Sequence, residues 1–419
     1  VRNDWSSTLS EDNRSYAYYS ASVSALLTRF IDPTEQTFDL FKVRAGYAEV
    51  GNDTDPYQLS QTFDVPGQGY LGLTTLTAPS VKLNPDLRPE QVTSTEFGLE
   101  LVMLNNRLNF DISVYDISTT DLIFNVPVPA ATGYQFFKQN VGEVNNKGFE
   151  VTIGGRPIQS GKFVWDTSLN FARNDNYLVS LIDDVESFAY LNSNSGDLQL
   201  RAQVGGSIGD IYGTVWETND SGQNLVTAEG LHVISAADNL LGNAEPNFIG
   251  GWSNVFRYDN ISLSLQIDGR FGGEFYSMTA RDLDVNGVSA ASLQYRDGVT
   301  LSGTNTGTGG ANNVAITGQQ YWSSQSGIAE NYVYDQTNVR LREVALGYQI
   351  PNTERFGVEN ASIQLIGRNL FFITKDSRGG TGFGFDPENM LGTTIGAQGY
   401  QSYAAPSIRS VGVNLTLNF

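Results

Sequence analysis

Several kinds of residue are scarce in this chain of 419 residues. It contains no cysteine and a single histidine, and only 17% of its residues are charged. The lack of cysteine excludes a fold held together by disulfides and excludes thiol or cysteine–zinc chemistry. No run of about 18 apolar residues occurs, which excludes a membrane-spanning helix. It does not exclude a transmembrane barrel, whose strands alternate apolar and polar residues over segments of about ten.

The charge is one-sided, because 45 Asp and Glu residues outnumber 25 Lys and Arg residues and leave a net charge of −20. Nucleic acid is not expected as a partner, since phosphate binding requires clustered Lys and Arg. The acidic excess fits either a solvated surface or acidic, cation-rich extracellular loops. Residues 1–5 carry neither the basic nor the apolar segment of a secretion signal, so we expect a mature or truncated piece that starts mid-structure.

Alternation of apolar and polar residues dominates the chain. It is clearest at the end, where Val411, Val413, Leu415 and Leu417 alternate with glycine or polar residues. Successive side chains of a strand point to opposite faces, so each such segment has one apolar and one polar face. The pattern predicts roughly eleven strands, at residues 16–29, 40–51, 91–104, 107–122, 144–157, 162–177, 246–258, 261–273, 335–350, 359–374 and 409–419.

Very short and very long connections join these strands. The short ones, Asn105-Asn106, Ser160-Gly161 and Asp259-Asn260, have the composition of hairpin turns. The long ones, which are rich in Gly, Asn, Ser, Asp and Thr, lie at residues 52–88, 178–245, 273–333 and 375–408. Loops of such length are uncommon in compact soluble domains. Short periplasmic turns and long extracellular loops are typical of an all-β transmembrane antiparallel β-barrel, which is the fold that we predict.

One predicted strand breaks the alternation. Its apolar positions run Val339, Leu341 and then Val344, so the parity changes at Arg342-Glu343. Either a β-bulge or an inner strand face packed on something other than water would produce this change.

Several segments carry recognisable motifs, and they occur in a fixed order. They are Asn84–Glu90 (NPDLRPE) with Thr95–Glu100 (TEFGLE), Gln139–Glu150 (QNVGEVNNKGFE), Gly242–Phe248 (GNAEPNF) with Gly250-Gly251, Val339–Tyr348 (VRLREVALGY), Gly367–Phe371 (GRNLF) and Phe383–Pro387 (FGFDP). In sequence and order these segments resemble the SusC/RagA family of TonB-dependent outer-membrane transporters. The resemblance extends over residues 1–419.

The resemblance implies that residues 1–419 are the C-terminal part of a barrel of about 22 strands in the outer membrane of a Bacteroidetes-type bacterium. It also implies that the plug domain and the TonB box of the family are absent from this chain. A half barrel would leave backbone groups unpaired in lipid, so we expect a longer polypeptide or a second chain to complete it. The implied function is import of a glycan or peptide nutrient. The implied partners are a SusD-like surface lipoprotein, outer-membrane lipid, and TonB-ExbB-ExbD acting through the missing N-terminal region.

Aromatic residues in the long loops are candidates for substrate binding, because sugar rings pack on aromatic faces and bind planar amides and carboxylates. The candidates are Tyr57, Tyr70, Tyr212, Trp216, Tyr321, Trp322 and Tyr400. The alternative is that these rings pack within the loops or against the lipoprotein. Phe419 ends an alternating strand and resembles the C-terminal recognition signal of the outer-membrane assembly machinery.

Residues suited to catalysis or metal binding are few. His232 is the only histidine, and the pairs Asp183-Asp184 and Asp282/Asp284 could flank a glycosidic bond only if they were not solvated. We therefore predict no enzymatic activity and no cofactor. Asp53 and Asp55 offer oxygen ligands of the kind that Ca²⁺ prefers. The segment lacks the glycine and the distal glutamate of an EF-hand. Ca²⁺ bound in the extracellular loops is therefore the only cation that we propose from the sequence.

Two other functions fit the same alternation. A secreted all-β carbohydrate-binding or adhesive protein would place the strands in sandwiches. An extracellular β-rich glycoside hydrolase is the third hypothesis. The identity of the substrate cannot be read from the loops.

Overall fold

The computed structural model describes residues 1–34, 37–65, 67, 73–182, 185–193, 195–375, 386–392 and 398–419. The strands are β1 Arg2–Trp5, β2 Ser15–Tyr18, β3 Ser20–Leu26, β4 Phe38–Asn52, β5 Val81–Lys82, β6 Glu90–Met103, β7 Leu108–Pro127, β8 Phe136–Ser160, β9 Phe163–Ser180, β10 Ser187–Asn192, β11 Leu198–Gln203, β12 Asp210–Gly213, β13 Leu225–Val226, β14 Asn239–Asn243, β15 Phe248–Tyr258, β16 Ile261–Phe271, β17 Glu274–Ser277, β18 Val299–Thr300, β19 Thr304–Asn305, β20 Ala315–Ile316, β21 Val333–Asp335, β22 Asn338–Ile350, β23 Asn360–Lys375, β24 Tyr400–Gln401 and β25 Ser410–Asn418. The helices are α1 Thr28–Ile31, α2 Met278–Val285 and α3 Gly318–Gln325, and 3-10 turns occur at Ala130–Thr132, Ala291–Leu293, Ala329–Tyr332 and Thr353–Phe356.

Most of the long strands form one antiparallel sheet, which we call the wall. Its strand order is β25-β23-β22-β16-β15-β9-β8-β7-β6-β4-β3, and β5 adds a short parallel pair with β8. Each segment predicted as a strand contributes to the wall. The segment predicted as one strand at 16–29 is divided, because β2 forms a separate hairpin with β1 and α1 follows β3.

The wall has one apolar face, which we call the outer face. Register places Val413 beside Leu365 and Leu365 beside Leu346, and the same parity continues across the sheet to Val23. The exposed apolar residues of this face include Val23, Phe97, Val114, Ile153, Leu169, Ile261, Leu346, Leu365, Val413 and Leu415. A water-soluble monomer rarely exposes so large an apolar surface, whereas the lipid-facing side of a transmembrane barrel does.

The predicted irregularity in β22 is a β-bulge. Gln266 pairs with Glu343 and Ile267 pairs with Leu341, so the register skips Arg342. The pairing of β22 with β23 skips the same residue. The extra residue keeps the apolar side chains before and after it on the outer face, which explains the parity change in the sequence.

Short turns and long loops occupy opposite ends of the wall, as predicted. At one end the chain turns with left-handed backbone at Asn105 (φ 58°), Gly161 (φ 56°) and Asp259 (φ 52°), as tight hairpins require. At the other end lie the described residues of the connections 53–89, 128–135, 181–247, 272–337 and 376–409. Among the described residues, no helix is long and apolar enough to span a membrane.

The long connections fold into a second body, which we call the loop domain: the described residues of 185–245, 272–337 and 398–404. It contains the sheets β10-β11-β12-β14 and β21-β17-β24, the pairs β13–β19 and β18–β20, and helices α2 and α3. Its buried core comprises Leu198, Leu200, Ile211, Ala244, Tyr276, Ala280, Ala329, Tyr332 and Tyr400. Sequence alternation did not predict these short strands.

Candidate functional site

The polar side of the wall, which we call the inner face, carries paired charges over β4 to β9 and β15. Lys42 Nζ donates to Glu100 Oε2 at 3.0 Å, and Arg44 Nη2 donates to Asp111 Oδ1 at 2.8 Å. We call this region the charged sector, and it comprises Lys42, Arg44, Glu96, Glu100, Asp111, Arg156, Asp166 and Arg257. Ionised side chains on this face are expected where the interior of a barrel is polar.

Three of the sequence motifs meet at the bulge in β22. Arg342 donates to Asp268 Oδ2 at 2.7 Å and to Asn369 Oδ1 at 3.1 Å. It also donates to Glu388 Oε1 at 2.9 Å, just past the FGFDP motif. The bulge therefore places Arg342 in contact with β16, with β23 and with the loop that follows β23. We call this set of contacts the bulge joint.

The bulge joint includes a buried ion pair. Arg340, which is 2% exposed, donates from Nη2 to Asp386 Oδ2 at 2.7 Å and lies over the Phe372 ring at 3.9 Å. Burial opposes ionisation of Asp386, but hydrogen bonds from Ser407 and Arg340 outweigh it, so the pKa of Asp386 lies below its usual value. The carboxylate thus stays ionised and fastens the last loop to the wall.

A second joint fastens the first long loop. Arg88 Nη2 donates to Asp121 Oδ1 at 2.7 Å, and Asn140 exchanges hydrogen bonds with the Arg88 backbone at 2.7 and 2.9 Å. Asp121 has a left-handed backbone (φ 55°) and accepts from Asn140 Nδ2 at 2.8 Å through its carbonyl. The NPDLRPE and QNVGEV motifs therefore fix the root of a loop to β7 and β8. We call this set the Arg88 joint.

The structure buries some of the aromatic residues predicted to bind substrate. Tyr212 lies beneath the Arg201 guanidinium at 4.5 Å and donates to Gln203 Oε1 at 2.9 Å. Tyr400 stacks on Tyr276 in the core of the loop domain, with ring centroids 5.7 Å apart. Trp322 is also buried and donates to the Gln294 carbonyl at 3.3 Å. Protein covers the ring faces of these three residues. They therefore match the alternative stated above, in which the aromatic rings pack within the loops.

Two further candidates, Trp216 and Tyr321, surround the single histidine. Their rings lie 4.4 and 5.3 Å from the His232 ring, and Trp216 Nε1 donates to the Leu225 carbonyl at 2.7 Å. His232 Nδ1 lies 2.6 Å from Ser324 Oγ, and burial lowers the pKa of His232 to about 4. This arrangement holds a neutral imidazole inside the loop domain.

The remaining candidates are spread over the chain. Tyr57 is 89% exposed, and Phe419 is 82% exposed directly after β25; both roles stay predictions. Tyr70 lies outside the described residues. Asp53 accepts hydrogen bonds from Ser6 and, at 3.1 Å, from Thr8. Among the described residues no three His or carboxylate groups come together as cation ligands, so a Ca²⁺ site at Asp53 and Asp55 would need other oxygen ligands and stays a prediction.

Two pairs of carboxylates are candidates for glycoside hydrolysis, and the structure describes one of the pairs. Asp183 and Asp184 lie outside the described residues. Asp282 accepts a hydrogen bond from Tyr403, whereas Asp284 is buried and accepts one from Ser289. Burial raises the pKa of Asp284. These two side chains have structural partners within the loop domain.

Sequence reasoning missed the polar groups that hold the loop domain together. Tyr276 donates to Asp197 Oδ2 at 2.9 Å in the buried core, and Arg281 Nε lies 3.8 Å from the same oxygen. No pattern of neighbouring residues in the sequence predicts this contact. The Arg340–Asp386 pair, by contrast, joins the VRLREV and FGFDP motifs, so the sequence does carry a signal at both residues.

Comparisons with known proteins agree with this geometry. A family model described as "TonB dependent receptor-like, beta-barrel" matches residues 1–200. TonB-dependent receptor P3 of Formosa agariphila is 29% identical over 460 residues, which cover all of this chain and 43% of that protein. TonB-dependent receptor SusC of Bacteroides thetaiotaomicron is 24% identical over 412 residues, which cover 93% of this chain and 39% of that protein.

A solved structure has the same fold. The structure of the RagAB peptide transporter superposes with a TM-score of 0.76 at 22% identity, covering all of this chain and 45% of that chain. The chain thus spans less than half the length of the relatives that it matches. Residues 1–200 thus match the TonB-dependent receptor-like β-barrel family, the chain is a homologue of TonB-dependent receptors that include SusC, and its wall is part of a β-barrel of the bacterial outer membrane.

Proposed function

We propose that this protein takes part in TonB-dependent import of a glycan or peptide nutrient across the outer membrane. The observation that carries the proposal is the two-sided wall: an exposed apolar outer face and a charged, polar inner face, with a folded loop domain at one end. A barrel built this way separates lipid from a polar conduit.

The parts of the chain have different roles in this mechanism. The wall keeps the conduit open against the membrane, and the loop domain presents a fixed surface to a substrate arriving from outside. The bulge joint and the Arg88 joint hold the loop roots against the wall, so the entrance keeps its shape. A SusD-like lipoprotein is the proposed partner at the loop side. TonB-ExbB-ExbD would supply energy through segments that precede the barrel in the family.

The two rival functions fit the structure less well. A secreted sandwich protein would cover the apolar face with a second sheet, but in the described part of the chain the outer face remains exposed over its whole width. A glycoside hydrolase would place two carboxyl groups on either side of the bond. Asp282 and Asp284 instead have partners within the loop domain.

The test is uptake by the host bacterium. Cells lacking the gene for the full-length receptor should lose accumulation of at least one member of a panel of isotope-labelled oligosaccharides and peptides. Complementation with the intact gene should restore accumulation, and complementation with a gene lacking the TonB box should not. Membrane insertion of both forms is checked by heat-dependent mobility on gels.

Unchanged uptake in the deletion strain across the panel would contradict the proposal. So would extraction of the protein in soluble form without detergent, which would favour the adhesive protein. Release of reducing ends from the glycan panel by purified protein would favour the hydrolase.

A further inference from the structure

Two glycines leave a groove in the apolar outer face of the wall. Gly250 of β15 pairs with Gly269 of β16 on one side and with Phe171 of β9 on the other. Phe171 lies two residues from Leu169 on the same strand, so this row shares the outer face with Leu169. Neither glycine has a side chain to cover the sheet, and a groove of about 410 Å³ remains. We call it the glycine groove.

Large apolar side chains enclose the glycine groove. They are Phe171, Phe248, Trp252, Ile267, Phe271 and Val339. Phe248 stacks on Phe271 with ring centroids 4.5 Å apart, and the Phe171 ring lies 5.0 Å from that of Phe248. These ring contacts hold the side of the groove that lies toward the long loops, so the groove is formed before any ligand enters. Because the outer face contacts lipid, a hydrocarbon chain is the ligand that such a groove meets first.

Just beyond the phenylalanine rings the outer face becomes charged. Phe149 pairs with Arg173, and Lys147 pairs with Asp175 in the same register. Arg173 Nη2 donates to Asp175 Oδ1 at 3.0 Å, and Lys147 Nζ lies 3.0 Å from Asp116 Oδ2. We call these four charged residues the rim cluster. Charges on the lipid side of a barrel are tolerated near the membrane surface and not at the midplane, so the rim cluster marks the level of the lipid headgroups.

The glycine groove and the rim cluster are spaced as the parts of one lipid. Arg173 lies two residues beyond Phe171 on β9, which is about 7 Å along a strand. Arg173 and Lys147 are diagonal neighbours on adjacent strands, about 7–8 Å apart at the backbone. An acyl chain in the groove therefore has its headgroup at the rim cluster. Both features lie toward the long loops, which is the extracellular side of such barrels.

The rim cluster favours a headgroup that carries phosphate and hydroxyl groups together. Its four side chains are between 49% and 65% exposed, and ion pairs so exposed contribute little free energy. Arg173 and Lys147 can therefore share their donors with a phosphate. Asp116 and Asp175 would repel a headgroup with negative charge alone, but carboxylates accept hydrogen bonds from sugar hydroxyls. The combination matches the phosphorylated sugar of lipid A, the membrane anchor of lipopolysaccharide in the outer leaflet.

A second copy of the barrel fits these features less well. It would cover the rim cluster and take four ionised groups out of water, which costs more than exposed ion pairs return. The glycine groove is also narrow, since large side chains border it, whereas a stable protein interface extends over about 800 Å² on each partner. A slender acyl chain fits the groove better than the broad surface of another barrel.

We propose that the glycine groove and the rim cluster bind one molecule of lipid A. An acyl chain occupies the groove, and a phosphate binds Arg173 and Lys147. The site is built on β8, β9, β15 and β16, each of which has a neighbouring strand of the wall on both sides. The inference goes beyond the proposed function, because it concerns the membrane around the barrel and is independent of the nutrient carried.

The groove is tested by filling it in the full-length receptor. Gly250→Leu places a side chain in the groove, and its Cβ would lie 3.3 Å from the Asn170 carbonyl oxygen, so the strand needs only a small shift. Ala45→Leu is the matched control, because it adds an apolar side chain to the outer face beside Phe97, away from the groove. Heat-dependent gel mobility checks insertion. If Gly250→Leu fails to insert, Val339→Phe fills the groove from β22 in its place.

The rim cluster is tested by removing its cations. The double variant Arg173→Gln with Lys147→Gln removes both. Lys162→Gln is the control for a lost surface charge: Lys162 is 65% exposed and paired with Asp259, much as Lys147 is 63% exposed and paired, but it lies at the short-turn end. Each receptor is purified from outer membranes in mild detergent, stripped of lipid and titrated with lipid A or with phosphatidylethanolamine. Native mass spectrometry counts the bound molecules.

We expect the parent receptor to bind one lipid A. Gly250→Leu should weaken this binding by about tenfold or more, because the leucine side chain occupies the groove. The double variant should weaken it by about fivefold or more, because the phosphate loses charge-assisted hydrogen bonds. Both controls should stay within about twofold of the parent. Phosphatidylethanolamine should bind about tenfold more weakly than lipid A, since it has no sugar hydroxyls for the carboxylates.

Three results would overturn the inference. Equal lipid A binding by the parent, the groove variant and the double variant would show that lipid A does not use this site. Equal affinity for phosphatidylethanolamine would show unselective contact with the bilayer. A receptor particle whose mass halves in Gly250→Leu without loss of bound lipid would show that the groove joins two copies of the barrel. Nutrient uptake by the host tests the proposed function separately from all three.

Discussion

The wall and the loop domain are stabilised in different ways, although they alternate along one chain. The wall directs its large apolar side chains outward and joins its strands through backbone ladders, so Leu365 and Val413 remain exposed. The loop domain instead buries Leu198, Ile211 and Tyr276 completely, as a water-soluble protein would. Lipid therefore substitutes for a core in the wall, whereas the loop domain builds a core of its own.

The strongest perturbation should come from the bulge joint, which fastens the last loop to the wall. Arg340→Ala leaves the Asp386 carboxylate buried without its partner, and we expect a loss of about 3–5 kcal/mol in the local stability of the last loop. Hydrogen exchange of residues 386–392 in the detergent-solubilised receptor would measure it. The double variant Arg340→Met with Asp386→Leu removes both charges and should recover most of the loss. Equal exchange in the single variant and the parent would contradict the expectation.

A comparable loss, confined to the loop domain, should follow from Tyr276→Ala. Removing a completely buried ring creates a cavity and costs about 3–5 kcal/mol. Limited proteolysis should cut the loop domain of this variant faster while the wall keeps its heat-dependent gel mobility. Tyr276→Phe keeps the ring and loses the hydrogen bond to Asp197, so its loss should be about 1–3 kcal/mol. Simultaneous loss of the wall would show that the two regions are not separable.

A charge on the outer face should harm the wall and spare the loop domain. Leu365→Arg places a guanidinium toward lipid, and near the bilayer midplane this costs about 2–4 kcal/mol. Urea unfolding of the receptor in liposomes, followed by tryptophan fluorescence, would measure the difference. Gln364→Arg is the matched control, because the adjacent side chain points to the inner face. Similar losses from both variants would contradict the assignment of the faces.

Near neutral pH the smallest expected effect is the pH dependence within the loop domain. Burial lowers the pKa of His232 to about 4 from an ordinary value of 6.5, so the folded state favours the neutral ring. The stabilisation is complete above the ordinary value and is lost as the pH falls from about 6.5 to about 4, because only the unfolded state binds the proton in that interval. Hydrogen exchange near residue 232, compared with His232→Gln across this range, would isolate the effect. Identical pH profiles would contradict it.

The parts of the fold that were predictable are those encoded by local alternation. The strands, the hairpin turns and even the bulge at Arg342 follow from apolar parity, since lipid selects one face along every wall strand. The loop domain has no such local signal. Its β17 pairs in parallel with β24 through Tyr276 and Tyr400, a contact between residues far apart in the chain.

The same limit explains the outcome for the predicted aromatic residues. Composition identified Tyr212, Trp322 and Tyr400 as loop aromatics. Tyr212 and Tyr400 lie in strands of four and two residues, and Trp322 lies in a helix of eight residues, so none of these elements is long enough for its sequence pattern to indicate which face the ring takes. The structure buries all three. The joints were marked by motifs, yet nothing in the motifs indicated that they bind neighbouring strands.

The position of the two joints has a consequence for engineering. Arg88 fastens the first long loop just before the chain rejoins the wall at β6, and Asp386 fastens the last loop to β22. The part of each loop outside its joint can therefore be exchanged as a cassette between relatives, provided that the joint residue and its ion-pair partner are retained. Grafts cut inside the joints should preserve barrel assembly while transferring the recognition properties of the donor.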